Sequence, residues 1–154
     1  MLIRNILEES VRKFDEVKAV KWLNKKEIME RSYGELMENV VSTRKGLLAE
    51  GFEGKHIALI GTSSVEWMES YLGIITGCTT AVPLDAALPC EELIDLLNRS
   101  DSVALFLSPK LRPYLDAFLE NCPKLQKVWM LQEEVEDAPA KVYGIGELRN
   151  AGKS

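Results

Sequence analysis

The spacing of apolar positions divides the chain into a short first part and a longer second part. In the first part, apolar residues recur three or four positions apart over 2–14 and 33–50, which predicts two amphipathic helices. Between them, the segments 19–23 and 27–31 lie on either side of the polar turn Asn24-Lys25-Lys26, which predicts two strands joined in a hairpin. We therefore expect a helix, a hairpin and a second helix to precede the rest of the fold.

The second part alternates uncharged apolar segments with helical patterns of about three turns. Strands are expected at 57–61, 79–83, 103–107 and 127–131, and helices at 64–77, 89–99 and 110–121. Uncharged strands separated by helices predict β–α–β units, and hence a parallel sheet with helices on both faces. An acidic loop, a short strand and the start of one more helix should follow. The chain is thus predicted to form a single α/β domain over residues 1–154.

Composition and charge narrow the classes of function. The 154 residues are 46% apolar and carry a net charge of −5, with the basic side chains scattered among carboxylates. Nucleic-acid binding is not expected, because phosphate contacts need a concentrated cationic face. No apolar run approaches the roughly 20 residues of a membrane span, and the start lacks a signal-peptide core. We expect a cytoplasmic protein.

The cysteines and the histidine give no sign of a metal site. Cys78, Cys90 and Cys122 lie far apart in apolar segments, and their odd number with no CxxC pair predicts reduced thiols in the core. The chain has a single histidine, His56, at the start of a predicted strand. Zinc ligation is therefore not expected.

The stretch Thr62-Ser63-Ser64 joins a predicted strand to a predicted helix, where phosphate-binding loops are often found. It matches neither GxGxxG nor GxxxxGK[ST]. We interpret Ser63 as the helix N-cap, with Glu66 completing a capping box as Glu35 does for Ser32. Anion binding at the helix terminus stays the alternative. The helix should pack on the sheet through an apolar set that comprises Trp67, Met68, Tyr71, Leu72, Ile74 and Ile75.

Three further candidates carry no predicted chemistry. The ending Gly152-Lys153-Ser154 resembles the end of a phosphate loop, but Glu147 stands where its first glycine should be. Asp85 and Asp101 are isolated carboxylates, and the second is typical of a turn. We predict no catalytic, cofactor-binding or metal-binding residue.

Several segments together resemble the N-terminal part of the AMP-forming adenylating enzymes, the superfamily of acyl-CoA synthetases, luciferases and peptide-synthetase adenylation domains. "SYGEL" at 32–36 is similar to an early [ST]YxEL segment, and "KHIALI" at 55–60 to a GDRVAI strand. "SVEW" at 64–67 resembles a helix start, with Thr62 where asparagine is usual. "LGIITGCTTAVPLD" at 72–85 and the segment 88–106 resemble the helices and strands that follow. The five motifs stand in order over about residues 15–131.

The resemblance implies a larger enzyme that activates a carboxylic acid with ATP and Mg²⁺, forming an acyl-adenylate and then a coenzyme A thioester. Segment 82–101 resembles long-chain fatty acid–CoA ligases, which implies a fatty acid substrate. The family's phosphate loop, adenine segment, ribose-binding aspartate, hinge and C-terminal lysine have no equivalent here. We therefore expect an N-terminal fragment that is inactive alone. The alternatives are a fragment of an amino-acid-activating domain and a non-enzymatic protein-binding module.

A fragment should also leave an interface exposed. The segment 142–148, "VYGIGEL", is apolar with little chain after it to pack on. We expect an exposed apolar face there and self-association through it.

Overall fold

The computed structural model describes residues 3–24, 27–132 and 134–153. In these residues the elements are α1 (Ile3–Phe14), β1 (Lys18–Asn24), β2 (Glu27–Ser32), α2 (Tyr33–Ala49), β3 (His56–Ile60), α3 (Val65–Ile75), β4 (Thr80–Leu84), α4 (Cys90–Arg99), β5 (Ser102–Leu107), a 3₁₀ helix (Pro109–Tyr114), α5 (Leu115–Asn121), β6 (Lys127–Met130), β7 (Val142–Gly144) and α6 (Ile145–Lys153). The predicted turn residues Lys25 and Lys26 lie outside the described part of the chain.

The predicted α/β fold is confirmed. Five parallel strands form one sheet in the order β4-β3-β5-β6-β7, while β1 and β2 pair antiparallel in the separate hairpin. The central strands are buried along almost their whole length: Ile57–Ile60 and Ala104–Leu107 expose no surface. Strands covered on both faces can carry no unpaired charge, which explains the uncharged segments in the sequence.

Alternate strand residues supply two core layers, one on each face of the sheet. One layer joins the sheet to α4 and α5 through Ala58, Ile60, Leu93, Leu97, Leu105, Leu107 and Phe118. The other joins it to α2, α3 and α6 through Leu47, Ile57, Leu59, Ile74, Phe106, Trp129, Ile145 and Leu148. The two core layers hold the helices against the sheet and so set the positions of the loops that connect strands to helices.

The helix predicted at 110–121 is interrupted. The structure has a 3₁₀ helix, Pro109–Tyr114, followed by α5, Leu115–Asn121. Pro113 lies inside the 3₁₀ helix, two residues before α5 begins. A proline inside an α-helix removes one hydrogen bond and its ring clashes with the preceding turn. The tighter first segment presents Lys110 and Leu111 at the carboxyl edge of the sheet.

The predicted exposure of the segment 142–148 is wrong. Val142 is 5% exposed because it lies in the core layer shared with α4 and α5, and Leu148 is 1% exposed because α6 packs closely on α2. Two glycines permit this approach: a Cβ at Gly46 would lie 2.4 Å from the backbone oxygen of Leu148, and one at Gly152 would lie 2.1 Å from that of Ser42. The glycine that resembles part of a phosphate loop is thus a helix-packing residue.

The N-terminal helix follows the predicted pattern, yet its apolar face is only loosely covered. None of the described residues of α1 is buried, and Ile3, Ile6 and Phe14 are each about half exposed. Phe14 contacts Tyr33 of α2, with ring centroids 6.3 Å apart. The helix therefore contributes little to the core of the described chain.

Candidate functional site

The strand order creates a switch point between β3 and β5. From β3 the chain crosses to β4 on one side, and then returns to β5 on the other side of β3. The connections that leave β3 and β5 therefore separate at the carboxyl edge of the sheet. In open α/β sheets, ligands bind in the crevice formed at such a point.

A cleft of about 750 Å³ lies at this edge. Its apolar walls include Trp67, Leu84, Leu111 and Tyr114, and its polar lining consists of Thr62, Ser63, Asp85 and Lys110. The lining comes from the segments that follow β3, β4 and β5. Small-molecule sites have this size and this mixture of apolar walls with a few polar groups.

The loop after β3 caps its helix with a different serine from the one predicted. The N-cap of α3 is Ser64, whose Oγ accepts a hydrogen bond from the N–H of Trp67 at 3.1 Å. The helix begins one residue later than the prediction, so Glu66 is too close to the cap to complete a capping box. Ser63 instead lies exposed at the cleft. By contrast, the capping box of Ser32 and Glu35 at α2 is confirmed.

A hydrogen bond joins the two sides of the switch point. The N–H of Thr62 donates to Ser108 Oγ at 3.2 Å, and the N–H of Ser108 donates to the carbonyl of Ile60 at 3.0 Å. Gly61 permits the close approach, since a Cβ there would lie 2.1 Å from Ser108 Oγ. The floor of the cleft is therefore held by one backbone–backbone hydrogen bond and one between a backbone N–H and a side-chain hydroxyl.

The face of α3 that meets the rest of the protein differs from the predicted one. The buried residues are Val65, Glu69, Ser70, Gly73 and Ile74. Trp67 and Leu72, which were expected to be buried between helix and sheet, are only partly buried. Trp67 stacks on Tyr71 at a centroid distance of 5.3 Å, at the side of the helix that borders the cleft.

A buried carboxylate, that of Glu69, explains why the buried face of α3 differs from the predicted one. Glu69 is fully buried, and its two carboxylate oxygens accept from Arg31 Nη1 at 3.1 and 2.8 Å. Asn39 Nδ2 donates to Oε2 at 2.8 Å, and Arg149 Nη2 to Oε1 at 3.4 Å. The nearby Thr43 accepts from Arg149 Nε at 3.3 Å. These residues connect the hairpin, α2, α3 and α6.

Burial raises the pKa of the Glu69 carboxyl, while the hydrogen bond from Asn39 and the charges of Arg149 and Arg31 act in the opposite direction. Every neighbouring partner binds the carboxylate, and the group is sealed from solvent. The network is therefore a structural connection and not a catalytic group open to a substrate. Sequence reasoning missed it, because the partners of Glu69 lie between 30 and 80 residues away along the chain.

The isolated candidates from the sequence are not brought together. His56 lies at the amino edge of the sheet, where its Nδ1 is 2.7 Å from the carbonyl oxygen of Ser100. Asp101 has a φ of 55° in a turn and pairs with Lys124, which lowers the pKa of its carboxyl. Asp85 lies at the opposite edge, in the cleft. Within the described residues no group of three or more His, Cys, Asp or Glu side chains could hold a metal ion.

The prediction that all three cysteines belong to the core is wrong for one of them. Cys122 is buried, Cys90 is partly buried and Cys78 is exposed. All three are free thiols. Burial raises the pKa of the Cys122 thiol, so it is a poor nucleophile.

The residues at the cleft do not fit ATP with Mg²⁺. A triphosphate requires several cations and free backbone donors that meet at one point. Among the described lining residues, Lys110 is the one cation. The N–H groups of Thr62 and Trp67 already donate to Ser108 and Ser64. We derive no phosphate chemistry from this part of the chain.

Comparison with known proteins identifies the family. A model of the AMP-binding enzymes, described as "AMP-binding enzyme", matches residues 7–150. The chain belongs to the AMP-binding enzyme family. It is 24% identical over 119 residues to a 4-hydroxybutyrate–CoA ligase of Metallosphaera sedula, covering 77% of this chain and 21% of the relative.

Solved structures share the fold of this AMP-binding family member. Coronafacic acid ligase from Pectobacterium brasiliense superposes with a TM-score of 0.86 at 21% identity, over 97% of this chain and 29% of the ligase. A long-chain-fatty-acid–CoA ligase from Archaeoglobus fulgidus gives 0.80 at 16% identity, over 99% of this chain and 30% of the ligase. The chain thus spans less than a third of these relatives. No described helix combines the length and apolar character that crossing a bilayer requires.

Proposed function

We propose that this chain is the N-terminal part of a longer ATP-dependent acyl-CoA ligase. The longer protein would convert a carboxylic acid into an acyl-adenylate and then into a coenzyme A thioester. The observation that carries the proposal is the family match over residues 7–150, which takes in the hairpin, the sheet and the first two thirds of α6. Relatives of similar fold are named as ligases of organic acids.

For the acid we propose a long-chain fatty acid. The support is the resemblance of segment 82–101 to long-chain fatty acid–CoA ligases, together with the fold shared with the ligase of Archaeoglobus fulgidus. We also propose that the residues that measure the acyl chain lie outside these 154 residues. A chain-length series of acids therefore has to be tested on the longer protein.

We further propose that these 154 residues are inactive alone. ATP, Mg²⁺ and coenzyme A would be held by the remainder of the longer protein, because one lysine is the single cation among the described residues that line the cleft. The described residues supply a scaffold: a parallel sheet, its two core layers and the buried network of Glu69.

The test is acid-dependent exchange between ATP and pyrophosphate. The purified 154-residue chain should show no exchange above a blank, whereas the longer gene product should exchange with fatty acids and form acyl-CoA when coenzyme A is added. Exchange by the chain alone would overturn the inactive-fragment proposal. A reading frame that stops after residue 154 would overturn the ligase proposal and favour a binding module.

Two finer proposals concern location and assembly. A cytoplasmic location is supported by the three free thiols. Self-association is proposed at the outer edge of β7, which pairs only with β6 among the described strands, instead of through the buried side chains of Val142 and Leu148. Light scattering at rising concentration tests the second proposal, and a monomer throughout would contradict it.

A further inference from the structure

We propose that Arg4 and Arg44 form a binding site for a tetrahedral oxyanion, such as a phosphate group, where the start of α1 lies beside the end of α2. The site shares no residue with the cleft, and the ligase proposal assigns no ligand to it. The proposal rests on an unpaired buried donor, on two neighbouring guanidinium groups and on the loose packing of α1.

The side chain of Arg44 has a buried donor without a partner. Its Nη1 is inaccessible to solvent and has no hydrogen-bond partner among the described residues. Almost every buried donor in a folded protein is paired, with a protein group, an ordered water or an ion, because an unpaired one costs free energy. The stem of Arg44 lies against the turn after α3, where a Cβ at Gly77 would be 2.9 Å from Arg44 Cγ. This contact holds the guanidinium in place for a ligand.

The charges around Arg44 do not balance. Phe14 at the end of α1 contacts Tyr33 at the start of α2, so the start of α1 lies toward Arg44. The pKa of the Arg44 guanidinium is below its ordinary value, because burial disfavours the cation and the charge of Arg4 adds to this, whereas Glu8 acts in the opposite direction. Arg4 Nε already donates to Glu8 Oε1 at 2.9 Å. Two guanidinium groups thus lie near one carboxylate, and an additional anion would offset the remaining positive charge.

Two guanidinium groups match a tetrahedral oxyanion. Each presents several N–H donors in one plane and can form two parallel hydrogen bonds to phosphate. None of the described residues of α1 is buried, and the side chain of Arg4 is 50% exposed. A small shift of α1 can therefore admit an ion to the buried Nη1 of Arg44. The bound anion would in turn connect α1 to α2 through both arginines.

The experiment titrates inorganic phosphate into the ¹⁵N-labelled 154-residue chain, with chloride at matched ionic strength as the reference. Saturable changes of amide chemical shift are expected at residues 4–8, 44–48 and 77–78. Methyl phosphate and dihexanoyl phosphatidate are titrated in the same way to distinguish the source of the phosphate. Equal affinity for all three would assign the site to the phosphate group alone, and tighter binding of the phosphatidate would assign it to a lipid headgroup.

Variants test the two arginines separately. Arg44→Met should weaken phosphate binding about tenfold or more, because it removes a charge-assisted hydrogen-bonding group. In phosphate-free buffer the same variant should be no less stable than the parent chain, since it keeps the stem and removes the unpaired donor. Arg4→Gln changes an exposed side chain and should also weaken binding. Lys45→Met is the matched control, because Lys45 lines the groove between α1, α2 and α6, and it should leave the affinity unchanged.

Thermal unfolding separates site binding from the general stabilisation by phosphate, which is excluded from protein surfaces. At ten times the Kd, phosphate should raise the Tm of the parent chain about 3–6 °C more than that of Arg44→Met. Three results would overturn the proposal: no saturable shift by about 20 mM phosphate, where millimolar affinities are visible; equal affinity in Arg44→Met; or a clear loss of stability of Arg44→Met without phosphate, which would make Arg44 a structural residue. None of these measurements uses ATP or a carboxylic acid, so their failure is distinguishable from that of the ligase proposal.

Discussion

Glu69→Gln is the most informative test of how the elements are held together. The substitution preserves side-chain volume and removes the negative charge that Arg31 and Arg149 share. Arg149 is 5% exposed at its side chain and would lose the negative charge of Glu69 in the interior, whereas Arg31 is 20% exposed and can still reach water. Breaking a buried ion pair by removing one partner costs about 3–5 kcal/mol. We expect about 3 kcal/mol, the lower end, because one guanidinium is partly solvated.

The assay is urea unfolding of the chain at neutral pH, followed by far-UV circular dichroism. Glu66→Gln, three residues earlier on the same helix and without an ion pair among the described residues, is the matched control. It should change the free energy of unfolding by no more than about 0.5 kcal/mol. A loss below about 1 kcal/mol for Glu69→Gln would refute the reasoning, since it would mean that the fold does not depend on the negative charge of Glu69.

A double variant separates charge from packing. Replacing Glu69 and Arg149 together by Leu and Met removes both charges from the interior. Well-packed apolar replacements of a buried ion pair are often neutral or stabilising. The double variant should therefore be more stable than Glu69→Gln. If the loss of stability in the double variant equalled the sum of the losses in the single variants Glu69→Leu and Arg149→Met, the coupling between Glu69 and Arg149 would be absent.

Five further variants, two of which are controls, test three local features by the same unfolding assay. Ser64→Ala should cost about 1 kcal/mol as the loss of an N-cap, and Ser63→Ala almost nothing; equal effects would contradict the assignment of the cap. Gly152→Ala should lose about 1–3 kcal/mol by overpacking against α2, although alanine is the better helix former, and a gain would refute the close contact. The backbone N–H of the α2 cap lowers the pKa of Glu35. The ionised Glu35 carboxylate therefore adds to the free energy of unfolding above the ordinary carboxyl pKa, and this addition is lost as the pH falls through the lowered pKa. The free energy of unfolding should thus decline less toward acid pH in Glu35→Gln, whereas Glu53→Gln should leave the decline unchanged.

Local chemistry made much of the fold readable from the sequence. A strand buried on both faces excludes charge, so Ile57–Ile60 and Ala104–Leu107 stand out as apolar segments. The box of Ser32 and Glu35 needs only two residues three positions apart, and both are present. Ser63 and Ser64 are equally able to cap a helix, so their order in the sequence could not decide between them.

The features that the sequence did not reveal depend on distant partners. In the sequence, Leu72 continues an apolar stripe and Glu69 interrupts it, so the pattern predicts that Leu72 is the buried residue. Glu69 is buried instead because arginines from the hairpin and from α6 pair with it. The cleft follows from the strand order, which a single sequence does not display. In the sequence Lys110 is one of many scattered lysines and arginines, and only the fold brings it to the same cleft as Asp85.

The span of the Glu69 network has a consequence for synthesis on the ribosome. Glu69 and Arg149 are 80 residues apart, so a chain that grows at about 5–20 residues per second makes the carboxylate roughly 4–16 s before its second arginine. During that interval, the surface of α2 that receives α6 is exposed, together with its glycine-lined groove at Gly46. The glycine-lined surface of α2 therefore has no partner until α6 is synthesised, and the packing of α6 then covers it.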